Sequence, residues 1–206
     1  RFDPTCLRLM LVTDRPMARG RSLVEVVAAA VAGGVTSVQL REKTADTRRF
    51  VELARDLDAL LRPLGVPLWI NDRIDVALAA GIDHVHVGQS DMTPADVRRL
   101  MGPRAVIGLS ITRPEELVAE DLAPVDCLGV GPVFATATKS DAAPALGLDG
   151  LAAIRRAGGL PVVAIGGIGP AEVAAVRATG VEGVAVVSAI MAAADPRAAA
   201  RVLAGA

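Results

Sequence analysis

Asp72 and Asp91 each stand just beyond a short apolar run, Pro67–Asn71 and His84–Val87. If those runs are neighbouring strands, the two carboxylates can share one hard cation. Mg²⁺ is typically held by one or two carboxylates, with water and substrate phosphate oxygens completing its octahedron. Taken singly, Asp72 reads equally well as the cap of a following helix and Asp91 as a polar turn residue. Their joint placement favours the cation.

Further polar groups follow the other apolar runs. Gln39-Leu40-Arg41-Glu42-Lys43 follows the second, and strand alternation would put Gln39, Arg41 and Lys43 on one side and Leu40 on the other. An arginine fork and a lysine point charge together suit a diphosphate. A solvated Arg-Glu-Lys surface cluster has the same composition. Ser110 follows the fifth run. After the sixth comes Gly131-Pro132-Val133-Phe134-Ala135-Thr136-Ala137-Thr138-Lys139, with two hydroxyls and a cation in one loop. The stretch 140–147 then reads as a lid. Gly166-Gly167 and Val187-Ser188 follow the last two runs, where backbone N–H groups could bind a phosphate; a tight turn would also ask for the glycines. His84 and His86 flank Val85 and should face the same way; no third nitrogen or sulfur ligand stands near, so structural roles are expected. No nucleophile with an attendant base emerges, since neither Ser110 nor Ser188 belongs to a triad pattern and neither cysteine follows a strand. The pattern is an anion-and-metal clamp, suited to a departing diphosphate or to a phosphate-binding isomerase.

The elements that must position these groups alternate. Strands are expected at Arg8–Thr13, Val35–Leu40, Pro67–Asn71, His84–Val87, Ala105–Leu109, Cys127–Val130, Pro161–Ile165 and Gly183–Val187. Helices are expected at Leu23–Ala32, Thr47–Leu61, Ile74–Ala80, Pro94–Met101, Pro114–Asp121, Leu148–Ala157, Pro170–Thr179 and Arg197–Leu203. Glycines close several helices (Gly81, Gly180), and prolines open others (Pro94, Pro114, Pro170). Eight such units with no linker predict an α/β fold, a single-domain (β/α)8 TIM barrel spanning 1–206. An open doubly wound sheet is the alternative, but no Gly-x-Gly-x-x-Gly follows the first strand. In the barrel, active sites lie at the carboxyl ends of the strands, where all the polar groups above fall.

Composition agrees. The chain is 52% hydrophobic but only 2% aromatic, so Ala, Val, Leu and Ile must build the core, as parallel strands buried on both faces require. A net charge of −1 argues against a nucleic-acid partner. No apolar stretch has the ~18 uninterrupted residues of a membrane span. The two cysteines, Cys6 and Cys127, read as reduced thiols of a cytoplasmic protein. The first residue is Arg rather than Met, and no signal-peptide core follows it. A homo-oligomer is compatible with the sequence, which sets no oligomeric state.

The motifs resemble those of the thiamine-phosphate synthase family. The likeness runs through Leu11-Val12-Thr13-Asp14, Gln39–Lys43, Asn71-Asp72, His86–Asp91, Gly131–Lys139, Ile165-Gly166-Gly167-Ile168 and Val187–Ile190, in order and over nearly the whole chain. Gly-Gly-Ile alone is common in phosphate-binding barrels, whereas Gln-Leu-Arg-Glu-Lys with Thr-x-Thr-Lys is specific. The resemblance implies condensation of hydroxymethylpyrimidine diphosphate with a thiazole phosphate, giving thiamine phosphate and pyrophosphate by a dissociative path. It implies that Gln39, Leu40, Arg41, Glu42, Lys43, Asn71, Ser110 and Lys139 meet the pyrimidine diphosphate, with Arg41, Lys43, Ser110 and Lys139 catalytic. It further implies Asp72 and Asp91 as Mg²⁺ ligands, and Thr136, Ala137, Thr138, Gly167, Val187 and Ser188 as the thiazole-phosphate site. The first strand, Leu9-Met10-Leu11-Val12, departs from relatives that carry an aromatic residue there. A thiazole tautomerase of the same barrel family would not need Asp72, Asp91 and Lys139 together, and a non-catalytic barrel would show an eroded clamp. A phosphate-sugar epimerase would use the two carboxylates as an acid–base pair.

Overall fold

A computed structural model describes residues 2–136 and 144–205. Eight parallel strands close into a barrel in sequence order: β1 (Leu9–Val12), β2 (Ser37–Leu40), β3 (Leu68–Asn71), β4 (His84–Val87), β5 (Val106–Ile111), β6 (Cys127–Val130), β7 (Val162–Ile165) and β8 (Gly183–Val186). The single (β/α)8 barrel expected from the alternation is the observed fold. The ring closes where Leu9, Met10 and Leu11 of β1 pair with Val184, Ala185 and Val186 of β8.

Alternation along each strand divides the buried side chains into two clusters. Outward-facing residues such as Leu11, Val38, Leu40, Ile70 and Val85 pack under the helices, while Met10, Val12, Trp69, Cys127 and Val163 fill the barrel. Trp69 occupies the lower layer, in T-shaped contact with Phe2 and His84 at centroid distances of 6.2 and 5.0 Å. One large ring thus does the filling for which the chain has few aromatics.

The longer helices bury one stripe each. In α1 (Leu23–Ala32) the stripe is Leu23, Val26, Val27 and Ala30; in α2 (Thr47–Leu61) it is Phe50, Leu53, Ala54, Leu57 and Leu61, spaced as a 3.6-residue period requires. Asp46 caps α2 by accepting from the Arg49 N–H. The remaining helices are α3 (Ile74–Ala80), α4 (Pro94–Met101), α5 (Ala119–Leu122), α6 (Gly147–Gly158), α7 (Val173–Arg177), α8 (Ser188–Met191) and α9 (Pro196–Gly205).

Three elements differ from expectation. The helix expected at Pro114–Asp121 is a 3-10 turn, Pro114–Glu116, followed by the separate α5. The Glu116 carboxylate folds back to accept from the Thr112 N–H (2.7 Å) and hydroxyl (2.8 Å), and Val118 is extended, so the helix cannot run through. The helix expected at Pro170–Thr179 starts only at Val173, because Glu172 closes a turn onto the Gly169 N–H at 2.9 Å. The four-residue α8 is too short for periodicity to reveal.

Candidate active site

The mouth of the barrel at the carboxyl ends of the strands gathers the polar residues. Two carboxylates stand there, on the loops after β3 and β4. Asp72 follows β3 with a left-handed φ of 62°, a conformation aspartate tolerates better than most residues, and its backbone N–H donates to the His86 carbonyl at 2.9 Å. Asp91 lies in the turn after β4, where one oxygen accepts from the Gly88 N–H at 2.7 Å. The two carboxyl groups are hydrogen-bonded to each other. Burial, that hydrogen bond and the Asp91 charge push the Asp72 pKa up to about 6, against the opposing pull of Arg41 and a hydrogen bond from Asn71.

Asp72 is not a helix cap. Position N-cap of α3 is Arg73, without a side-chain capping bond, and Thr93 caps α4 by accepting from the Asp96 N–H. Neither carboxylate is in an ion pair among the described residues, and no group of three or more His, Cys, Asp and Glu gathers there. Two hard, mutually repelling oxygen donors with no third protein ligand fit Mg²⁺, which keeps positions for water and phosphate oxygens; they do not fit the closed N/S shell of a structural Zn²⁺.

Around this pair, the expected residues that fall among the described ones have definite places. Gln39 is buried inside the barrel, its Nε2 directed at Met10 Sδ at 3.7 Å. Arg41 lies beyond the end of β2, with Nη1 4.0 Å from Asp14 Oδ2. Its backbone N–H donates to the buried Thr13 hydroxyl at 3.1 Å, which ties β1 to β2 at the rim. Lys43 is exposed and has no ion pair among the described residues. Asn71 ends β3 beside Asp72. Ser110 sits within β5 rather than after it, because that strand runs on to Ile111. Its hydroxyl lies 2.9 Å from His86 Nε2, and its carbonyl accepts from Gln89 Nε2 at 2.8 Å.

Two expected contacts do not face the mouth. The Leu40 side chain is fully buried in the outer cluster beneath the helices, so only its backbone is on the site side. The Glu42 side chain is 3% exposed and wholly engaged in the loop, accepting from Arg15 Nε at 2.8 Å and from the N–H and hydroxyl of Thr44. Those bonds pull its pKa below the usual carboxylate value, against burial, which raises it. Glu42 shapes the loop that carries Lys43.

On the opposite side, loop 6 lies on loop 7. Val133 and Phe134 donate to the carbonyls of Ile165 and Gly166, while Leu146 and Gly147 donate to Pro132 and Val133. Gly166 and Gly167 have φ of 101° and 66°, and a Cβ on them would lie 2.6 Å from Pro132 Cα and 2.7 Å from the Ala135 carbonyl oxygen. Left-handed backbone and close approach both demand glycine here. Thr136 is the last described residue of loop 6. Ala137, Thr138 and Lys139 lie outside the described residues, as does 140–143 of the expected lid; Leu146 and Gly147 belong to the framework, since Gly147 opens α6. Val187 is the N-cap of α8 and Ser188 its exposed first residue. Arg21 braces the other end of that helix, donating to the carbonyls of Met191 (2.6 Å), Ala193 (2.7 Å) and Ala18 (2.9 Å).

The structure adds four residues for which the sequence suggested no site role: Thr13, Asp14, Arg21 and His86. Thr13 and Asp14 carried a visible signal, since polar residues directly follow β1. The two histidines separate by level. His84 is at the amino-terminal rim, 2.6 Å from Asp83, whereas burial pushes the deeper His86 down to about 4 despite the Asp91 charge, which leaves it neutral. A cavity of about 1110 Å³ opens at the amino-terminal face, but its carboxylates Asp58, Asp83 and Asp126 are already paired with Arg62, His84 and Arg98, and Asp3 accepts from the Thr5 N–H and hydroxyl.

Fold and site define a (β/α)8-barrel enzyme with its polar groups at the carboxyl ends of the strands. The family model described as thiamine monophosphate synthase matches residues 9–190, and the chain belongs to that family, as a transferase of thiamine biosynthesis. It is 59% identical over 202 residues to a thiamine-phosphate synthase of Solidesulfovibrio magneticus, with 98% of this chain and 94% of that one covered. It is 55% identical over 200 residues to that of Xanthobacter autotrophicus, covering 97% and 95%. The solved thiamine phosphate pyrophosphorylase of Pyrococcus furiosus superposes with a TM-score of 0.89 at 38% identity, covering 97% and 95% of the two chains. A 3-hexulose-6-phosphate synthase, 19% identical with a TM-score of 0.68, shares the fold alone.

Proposed function

We propose that this barrel joins hydroxymethylpyrimidine diphosphate to a thiazole phosphate, releasing pyrophosphate and forming thiamine phosphate. The observation that carries the reading is the facing Asp72–Asp91 pair at the barrel mouth, next to Arg41. Asp72 and Asp91 would hold Mg²⁺. Bound there, the ion supplies positive charge to the oxygens of the leaving diphosphate.

The chain's own residues do the rest. Arg41, with its guanidinium directed by Asp14, and Lys43 and Lys139 stabilise the charge that accumulates as the C–O bond to the diphosphate breaks, the term that usually dominates catalysis. Gln39 and Asn71 line the pyrimidine side, and the Ser110 hydroxyl meets the same substrate. The pyrimidine methylene cation left behind is delocalised into the aminopyrimidine ring, so the thiazole nitrogen can capture it without a strong base. Thr136, Ala137, Thr138, Gly167, Val187 and Ser188 hold the thiazole phosphate so that this nitrogen faces the cation, an effect of positioning alone. Free Cys6 and Cys127 accord with a cytoplasmic place of work.

Purified protein, the two substrates and Mg²⁺ test the reading. One thiamine phosphate and one pyrophosphate should form per turnover, and EDTA or Asp72→Ala should stop both. No thiamine phosphate, or undiminished turnover in EDTA, overturns it.

A further inference from the structure

Two glycines of the barrel wall face a histidine. A Cβ on Gly108 in β5 would lie 2.4 Å from His86 Nδ1, and one on Gly129 in β6 would lie 2.7 Å from His86 Cε1. Glycine inside a strand weakens it and marks a place where another group comes close. Here that group is the imidazole. Because His86 pairs in register with Gly108, the ring sits one inward-facing position below Ser110. That level sets Nε2 2.9 Å from the Ser110 hydroxyl. Gln89 holds the Ser110 carbonyl at 2.8 Å, so the serine is anchored through both backbone and side chain. The His86 carbonyl meanwhile accepts from the Asp72 N–H at 2.9 Å, which joins the carboxylate side of the mouth to β5.

We propose that His86 is a positioning residue for the condensation: seated against Gly108 and Gly129, its Nε2 orients the Ser110 hydroxyl toward the pyrimidine diphosphate. The inference rests on the assignment of Ser110 to that substrate. His86 is 7% exposed and need not touch a ligand itself. A serine hydroxyl has three staggered positions, and a fixed hydrogen-bond partner selects one. Small misplacements of an orienting group cost up to about a hundredfold in rate.

A double-mutant cycle of His86→Leu and Ser110→Ala tests this, with His86→Gln as the conservative variant. His86→Leu should lower kcat by about ten- to a hundredfold and leave the KM for thiazole phosphate unchanged. In the Ser110→Ala background the same change should move kcat by less than about twofold, because coupled residues do not add. His86→Gln, whose amide can reach Ser110, should restore part of the rate. An effect of His86→Leu that persists in full without the Ser110 hydroxyl, or a glutamine variant no better than leucine, overturns the positioning role. Wild-type kinetics in Ser110→Ala would overturn instead the placement of Ser110 on the substrate. If the leucine variant does not fold, ¹⁵N NMR of the histidine rings decides. The chain has two histidines, so His84→Asn assigns them. The His86 Nε2 resonance should shift in Ser110→Ala, and an unmoved resonance overturns the contact.

Discussion

The carboxyl groups of Asp72 and Asp91, carried by loops after adjacent strands, are hydrogen-bonded to one another at the barrel mouth. Without a metal this arrangement is unfavourable at neutral pH. The folded-state pKa of Asp72, about 6, lies above its ordinary 3.8, so the stabilisation it brings is complete below about pH 3.8 and is lost as pH rises through 6. In Mg²⁺-free buffer, Asp72→Asn should therefore be more stable than the parent at pH 8, and by about half as much at pH 5. Solvent at the open mouth screens the repulsion, so the gain is about 1 kcal/mol, or roughly 2–4 °C in Tm for a chain this long. Thermal melts at the two pH values check it; a variant less stable at pH 8 contradicts it.

The buried Thr13 hydroxyl accepts from the Arg41 N–H at 3.1 Å and donates to its carbonyl at 3.4 Å. Thr13→Val keeps the shape and removes both bonds. Leaving a backbone N–H unpaired there should cost about 1–2 kcal/mol in urea unfolding. The KM for the pyrimidine diphosphate should rise while that for the thiazole phosphate holds, since the role proposed for Arg41 concerns the first substrate alone.

Gly167→Ala places a Cβ 2.7 Å from the Ala135 carbonyl oxygen at a φ of 66°. The left-handed backbone costs an L-residue about 1–2 kcal/mol before the contact is counted. A lower Tm and a raised KM for thiazole phosphate are expected, because the alanine pushes loop 6 away from loop 7. Unchanged kinetics with a lowered Tm would show that the two loops need not touch for binding.

Arg21 spends its guanidinium on backbone carbonyls. Arg21→Ala frees the Met191 and Ala193 carbonyls at the end of α8, which charged hydrogen bonds now hold. The loss should be about 2 kcal/mol of stability. Thiazole-phosphate KM should rise about tenfold, equivalent to about 1.4 kcal/mol, as α8 and Ser188 lose their brace. Steady-state kinetics with each substrate varied in turn separates this from a general loss of fold.

The barrel was legible because strands such as Leu9–Val12 and Cys127–Val130 are buried on both faces and read as apolar runs. The failures were local. Nothing in Pro114–Asp121 announces that Glu116 will leave the helix to bond Thr112. The rim positions of Arg41, Asp72 and Asp91 followed from strand ends alone. Glu42 did not, since its partner Arg15 comes from the loop after another strand. Leu40 falls on the outer face by the same alternation that turns Gln39 inward. The part played by His86 depends on bare glycines in two other strands, which a linear reading lists only as weak points of those strands.

A Mg²⁺ titration of turnover in Asp72→Asn and Asp91→Asn tests most directly whether these two carboxylates form one metal site. The expected result is that each variant raises the Mg²⁺ concentration for half-maximal rate more than about tenfold, with the double variant little worse than either, because ligands of one ion act as a unit. Saturation of either variant at the parent's Mg²⁺ concentration and rate would contradict the shared site.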